Sequence, residues 1–117
     1  MKLSNKNIIN LEDFRVVDKD GNIAKVFTGR DRGQDVRNNS NLDDIESSND
    51  EVIIIITSNV YAINPSFFEE LFLNAVLKLG REAFLTKFKF KSEANFNYEK
   101  PLFEAIDRIL RNKTAIG

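Results

Sequence analysis

Carboxylates, lysines and tyrosines are the side chains left for acid–base and metal chemistry in this chain, because its 117 residues include no histidine and no cysteine. Histidine is the commonest general base and a common metal ligand, and cysteine supplies thiolate nucleophiles. Two adjacent carboxylate pairs remain, Glu69 with Glu70 and Asp43 with Asp44. Consecutive residues on a helix diverge by about 100°, so neither pair is placed to share a metal ion or a proton. The sequence therefore predicts a non-enzymatic protein without a metal site or a cofactor.

Two arginines near a predicted helix start are the best candidates for anion binding. Gly29, Arg30 and Arg32 would combine backbone amides with guanidinium groups, which suits a small anion or a nucleotide phosphate. The alternative is a surface salt bridge with Asp31 or Asp35. The glycines of this segment make no phosphate-binding loop, because the lysine and the serine or threonine of that motif are missing.

A serine and two leucines lie on the side of the helix beginning at Pro65 that should face water. At about 100° per residue, Ser66, Glu70, Leu73 and Leu77 fall within an arc of about 60° outside the apolar stripe of the helix. One explanation is that a neighbouring helix of the same chain covers the leucines. The other is a protein-binding surface, since an apolar strip rimmed by polar residues is typical of interaction sites.

The elements that position these residues centre on a strand, a turn and a helix between residues 51 and 80. The continuous β-branched run Val52–Ile56 is typical of a central strand covered on both faces. Asn64 is placed to cap the following helix, and Pro65 suits its first position because no amide donor is needed there. Gly80 is expected to end that helix.

Upstream of this unit the sequence predicts an antiparallel pair of strands. Residues 14–17 and 23–27 are β-prone and flank Asp20 and Gly21, one of the better hairpin signals. Residues 8–11 either add an earlier strand or only pad the edge of the sheet.

The segment between the hairpin and the central strand predicts a weak helix and then a loop. The helix opens at Thr28 or Gly29 and has little apolar content, with Val36 as its clearest anchor. Residues 38–50 are rich in Asn, Ser and Asp, which predicts a frayed helix end running into a solvated connection.

Beyond Gly80, residues 84–91 predict a strand with one buried and one basic face. Phenylalanines at 84, 88 and 90 alternate with lysines at 87, 89 and 91. Such lysines also protect a sheet edge from pairing with another chain. A nucleic-acid or anion patch is the alternative, and the formal net charge of −1 disfavours it. Pro101 then opens a final helix with an apolar side.

This order of elements predicts an α/β sandwich formed by a single domain over residues 1–117, with a mixed β-sheet and about three helices. The later strands should be parallel through right-handed crossovers. The sequence has neither the apolar core of a signal peptide nor a run of about 20 apolar residues that would span a bilayer. We therefore expect a cytoplasmic protein that does not interact with membranes.

Two segments, in this order, resemble the STAS-like family, whose fold is that of sulfate-transporter and anti-sigma-factor-antagonist domains. The run VIIIITSNVYAINPSFFEELF at residues 52–72 is similar to the buried strand, turn and Ser-Phe-x-x-Glu-Leu helix start of that family. The segment FTGRDRG at residues 27–33 resembles the family's phenylalanine, small residue, glycine, arginine stretch. The resemblance is strongest over residues 27–110 and implies a STAS-like sandwich.

The resemblance also implies a regulatory role through protein binding. In anti-sigma factor antagonists, the serine at the start of this helix is phosphorylated by a GHKL-type ATPase kinase, and phosphorylation releases the antagonist from its partner. Ser66 matches that serine, whereas Asn64 replaces the usual aspartate and Pro65 and Phe67 differ from the usual flanking residues. A phosphate there would meet the free amides of a helix start. The alternative is a structural Ser66 that hydrogen-bonds within the first turn.

The expected partner is thus another protein, a regulatory ATPase or kinase, contacted through Ser66, Glu70, Leu73 and Leu77. Two further interpretations stay open. The chain is either a small-anion or nucleotide sensor that uses residues 29–32, or an accessory component of a bacterial defence or toxin-control system.

Overall fold

The computed structural model describes residues 7–15, 21, 26–27, 29–58 and 60–116. In chain order, its elements are β1 (Ile8–Asn10), a 3-10 helix (Leu11–Phe14), β2 (Val26–Phe27), α1 (Arg30–Ser40), α2 (Leu42–Ser48), β3 (Val52–Ile56), β4 (Ala62–Ile63), α3 (Pro65–Leu71), α4 (Leu73–Leu79), α5 (Arg81–Lys87), β5 (Phe88–Ser92) and α6 (Glu99–Ile116). The predicted α/β class is confirmed. The described residues form six α-helices instead of about three.

The main sheet is parallel and has β3 at its centre. Its strand order is β1-β3-β5, and Ile54 lies between Ile9 on β1 and Phe90 on β5. Strands β2 and β4 form a separate parallel pair, in which Phe27 lies opposite Ile63. Every strand pairing in the described residues is parallel, so the mixed sheet expected from the sequence is not seen there.

The two faces of β3 are buried to different extents. Val52, Ile54 and Ile56 are fully buried and belong to the same core as the phenylalanines of α3, whereas Ile53 and Ile55 are half-buried. The predicted central strand is confirmed, and one of its faces is buried more deeply than the other. The register places Lys89 beside Ile53 and Lys91 beside Ile55 on the less covered face.

Phe72 divides the single helix predicted after Pro65 into α3 and α4. Its backbone leaves helical geometry, with φ −105° and ψ 11°, although its amide still donates to the carbonyl of Phe68 at 2.9 Å. The Phe72 ring contacts Phe84 and Phe88, with ring centroids 5.1 and 5.5 Å apart. Aromatic pairs of this geometry stabilise a core by about 0.5–1.5 kcal/mol each beyond the area they bury. The break therefore lies at a residue that packs in the core, where the sequence pattern is uninterrupted.

Residues 38–50 include the end of α1 and the whole of α2, whereas the sequence predicted a frayed helix end followed by a loop. Asn41 adopts a left-handed conformation with φ 58°, which ends α1 and directly precedes α2. Leu42 is fully buried, and Glu46 is buried beside two lysines. These two inward contacts hold α2 in place despite its polar composition.

The predicted strand at residues 84–91 was wrong in its first half. Gly80, with φ 82°, ends α4 as expected, but α5 starts at once and runs to Lys87 before β5 begins. Phe84 and Phe88 stack with ring centroids 4.5 Å apart. A spacing of four residues satisfies both strand alternation and a helical turn, so the pattern did not distinguish them. Over residues 88–91 the expected alternation of phenylalanine and exposed lysine is confirmed.

At the N-terminal end, the early strand is confirmed as β1, and Phe14 lies in the 3-10 helix instead of a strand. Most of the predicted hairpin, residues 16–20 and 22–25, falls outside the described residues. Val36 is fully buried, as expected for the anchor of α1. The last helix begins at Glu99, so Pro101 lies within its first turn.

Candidate functional site

The start of α3 is capped as the sequence predicts. Asn64 Oδ1 accepts a hydrogen bond from the Ser66 amide at 2.8 Å, and the Asn64 carbonyl accepts from the amides of Phe67 and Phe68 at 3.0 and 3.5 Å. Pro65 has no amide hydrogen to offer. The free amides expected to receive a phosphate are thus already bonded. Ser66 itself is half-buried, and its hydroxyl makes no hydrogen bond to the described residues.

Two carboxylates of α3 meet three arginines from α1 and α6. Arg30 Nη1 lies 3.3 Å from Glu69 Oε2 and 3.8 Å from Glu70 Oε2. Arg108 Nη1 lies 3.7 Å from Glu69 Oε1, and Arg37 Nη1 lies 3.5 Å from Glu70 Oε1. We call these five residues the arginine–glutamate cluster. Glu69 and Glu70, which diverge too far to share a proton, do share one guanidinium.

Glu69 is the most deeply buried member of the cluster. Its side chain is 5% exposed, whereas that of Arg30 is 56% exposed. Glu69 Oε1 accepts no hydrogen bond from the described residues and has only the more distant Arg108 for charge compensation. A buried carboxylate is costly unless it is paired, so the two arginines are needed to keep Glu69 in place.

The candidate anion-binding arginines point to different partners. Arg30 faces the two glutamates, while Arg32 Nη2 donates to the Phe14 carbonyl at 2.8 Å and Arg32 Nη1 pairs with Asp35 at 3.3 Å. An anion at Arg30 would have to compete with Glu69 and Glu70 for the guanidinium. Arg32 thus forms the expected salt bridge with Asp35, whereas Arg30 pairs with two glutamates of α3 instead of Asp31 or Asp35.

A close approach of α1 to α3 brings the cluster together, and it depends on a glycine. A Cβ at Gly33 would lie 2.9 Å from Glu70 Cβ and closer still to the Phe67 carbonyl oxygen. Arg30 and Arg37 lie one turn to either side of Gly33, so both reach the carboxylates from the same face of α1. Sequence reasoning missed Gly33 and Arg37. The available signal was their spacing of three and seven residues after Arg30.

The four residues of the predicted partner surface are not in one line. Since Phe72 interrupts the helix, the uniform angular step does not extend from Glu70 to Leu73. Glu70 lies against α1, where Arg37 Nη1 also donates to its carbonyl oxygen. Leu73 is half-buried against the core, and Leu77 is 37% exposed. Leu77 is thus the exposed member of this surface, and Ser66, Glu70 and Leu73 are half-buried.

The flank of α4 is held by polar contacts with α2. Asn74 donates to Asp43 at 2.8 Å, and Lys78 pairs with Glu46 at 2.9 Å. Lys87 pairs with the other carboxylate oxygen of Glu46, also at 2.9 Å. Burial alone would raise the pKa of Glu46, but the hydrogen bonds and charges of the two lysines outweigh it and hold that pKa below its ordinary value.

Within the described ranges, no group of three or more Asp or Glu side chains is arranged to hold a metal ion. None of the described helices is long and apolar enough to cross a membrane. No protein-family model, curated protein or solved structure matches the chain.

Proposed function

We propose that this chain is a STAS-like regulatory domain that performs no catalysis and acts by binding another protein, a regulatory ATPase or kinase. The contact surface is the α3–α4 segment, with Ser66 at its head, Leu73 and Leu77 on its outer side, and Glu70 at its edge.

One observation carries this proposal. Leu77 is exposed and Ser66 is only half-buried at opposite ends of α3–α4, although most apolar residues between them are buried, namely Phe67, Phe68, Leu71, Phe72, Ala75 and Val76. Leu77 is 37% exposed and Leu73 is half-buried, so together they offer an apolar surface of the kind that a partner protein covers. The resemblance of residues 27–33 and 52–72 to STAS-like domains supports the choice of partner class.

Phosphorylation of Ser66 would regulate this contact through charge. Ser66 shares a helix face with Glu69 and Glu70, which follow it by three and four residues. A phosphate adds close to two negative charges, so it would repel both carboxylates and compete for the exposed guanidinium of Arg30. Loss of Arg30 from the arginine–glutamate cluster would leave Glu69 undercompensated and change the surface that the partner reads.

Affinity capture from extracts of the native cells tests the proposal. The full chain and the Ala83→Asp with Thr86→Asp variant should retain a protein with an ATPase or kinase domain, whereas Leu73→Asp with Leu77→Asp should lose it. Ala83 and Thr86 are matched control positions because both are exposed, both lie on α5 outside α3–α4, and the variant adds the same charge. Equal retention by the double variant would contradict the proposed surface.

A further inference from the structure

The outer side of β5 is an open edge of the main sheet. Strand β5 is last in the order β1-β3-β5 and pairs with β3 over Val52–Ile56. On its other side it has no strand partner in the part of the chain that the structure describes. Apart from the Phe88 amide, which donates to the Phe84 carbonyl at the end of α5, its outward N–H and C=O groups are available to pair with an added strand.

The two faces of this edge have opposite character. Lys89 and Lys91 are exposed on the face away from the helices, and neither makes an ion pair with a described residue. On the helical face, Phe88 is buried, and Phe90 is half-buried and stacks on Tyr98 with ring centroids 5.3 Å apart. Any strand added here would meet cations on one face and aromatic rings on the other.

A groove continues the apolar face beyond the edge. It has a volume of about 250 Å³ and lies between β5 and the start of α6. Its lining is mostly apolar, from Leu85, Phe88, Phe90, Tyr98, Leu102 and Phe103, and also includes Lys89 and Glu99. Phe103 is 36% exposed although it belongs to a helix whose other side is buried. The groove runs beside the same backbone that carries the unpaired hydrogen-bonding groups.

We propose that the β5 edge binds an extended segment of a partner protein as an added parallel or antiparallel strand, and that this segment alternates acidic with apolar residues. Its acidic side chains lie opposite Lys89 and Lys91, and its apolar side chains enter the groove beside Phe90 and Phe103. Main-chain hydrogen bonds supply affinity in this mode, and the alternate side chains supply specificity.

The same charges exclude a second copy of this chain as the occupant. Two β5 strands joined edge to edge would place the lysines of both copies on one face, and like charges opposite each other destabilise a strand pair. The edge therefore selects an acidic strand over itself. This surface is separate from α3–α4, so it goes beyond the function proposed above.

Binding of synthetic peptides to the full chain, measured by fluorescence anisotropy, tests this inference. The probe is a short peptide of alternating Glu and Val. Its comparisons are a peptide with Lys in place of Glu, a peptide with the same residues in blocks, and an alternately N-methylated peptide that cannot complete the hydrogen-bond ladder. We expect the Glu–Val peptide to bind and the three others to bind at least about tenfold more weakly.

Charge reversal on the protein provides the second arm. Lys89→Glu with Lys91→Glu should weaken binding of the Glu–Val peptide by about tenfold or more and strengthen binding of the Lys–Val peptide. The fold should persist, since both side chains are exposed. Lys100→Glu, an exposed lysine on α6, is the control and should change neither affinity. Equal binding of the block or N-methylated peptide, no binding of any peptide, or self-association through β5 would overturn the inference.

Discussion

Arg30 on α1 and Glu69 on α3 form a salt bridge that joins the two segments on which the family resemblance depends. Arg30 Nη1 lies 3.3 Å from Glu69 Oε2, and the arginine is largely exposed while the glutamate is buried. The pair is asymmetric, because the arginine can turn to water and the glutamate cannot. The arginine–glutamate cluster therefore joins α1 and α6 to α3 one turn after Ser66.

The first prediction concerns Gly33. In the Gly33→Ala variant, the alanine gains about 1 kcal/mol of helix propensity, but overpacking costs about 1–3 kcal/mol, and the Phe67 carbonyl it meets is backbone that cannot swing aside. We expect a net loss of about 1 kcal/mol in the free energy of unfolding, measured with urea. Gln34→Ala, at the exposed neighbouring position, should stay within about 0.5 kcal/mol of the wild type. A Gly33→Ala variant as stable as Gln34→Ala would show that α1 does not need this close approach.

The second prediction is that Glu69 depends on its two arginines for stability more than the arginines depend on Glu69. Removing both cations, by Arg30→Met with Arg108→Met, strands the Glu69 carboxylate and should cost about 3 kcal/mol of unfolding free energy. Removing the carboxylate charge by Glu69→Gln leaves two arginines that reach solvent, so the cost should be about 1 kcal/mol. Chemical denaturation of both variants measures the difference, and the opposite order would refute the assigned role of Glu69.

The third prediction concerns pH and Glu46. The pKa of Glu46 in the folded protein is held below the ordinary value of 4.5, which means that the ionised carboxylate is stabilised more in the folded state than in the unfolded state. The resulting stabilisation is present above pH 4.5 and is lost as the pH falls through the lowered pKa. We therefore expect Glu46→Gln to be less stable than the wild type at pH 7, with a gap that narrows in acid. Glu82→Gln, at an exposed position, should show no such gap, and a Glu46 gap that is constant with pH would be inconsistent with this assignment.

Much of the local structure could be predicted from the sequence, and the interactions between distant segments could not. The Asn64 cap, the Gly80 stop and the apolar run of β3 each depend on a few neighbouring residues. The break lies instead at Phe72, a residue whose ring contacts rings from later elements, such as Phe84 and Phe88. A sequence pattern contains no information on which distant ring fills a given space.

The candidate site divides in the same way. Helical periodicity places Leu77 on the outer side of its helix, and Leu77 is exposed in the structure. The periodicity does not give its position relative to Ser66 and Glu70, because Phe72 interrupts the helix between them. The pairing of Arg30 with Glu69 spans α1 and α3, and the choice between a glutamate and a bound anion as its partner requires the packing of those helices. The sequence could show only that Arg30 needs a negative partner.

The fourth prediction tests the anion-sensor alternative. Because Glu69 and Glu70 already occupy the guanidinium of Arg30, ATP and inorganic phosphate should not raise the melting temperature of the protein. Thermal unfolding with and without each compound measures this. A rise that disappears in Arg30→Ala but persists in Arg111→Ala, an exposed arginine of α6, would establish an anion site instead.

The fifth prediction concerns Ser66. Mass spectrometry of the chain isolated from its native cells should find phosphate on this serine, and Ser66→Glu should weaken capture of the partner without lowering thermal stability by more than a few degrees. Ser66→Ala is the control and should retain the partner. Unimpaired capture of the partner by Ser66→Glu would show that charge at this serine does not control binding.

Hydrogen–deuterium exchange of the full chain, with and without its captured partner, tests the protein-binding function most directly. We expect the partner to slow exchange across residues 65–79, the α3–α4 segment, while β5 exchanges at its unbound rate. Protection confined to other elements, with residues 65–79 unchanged, would contradict the account.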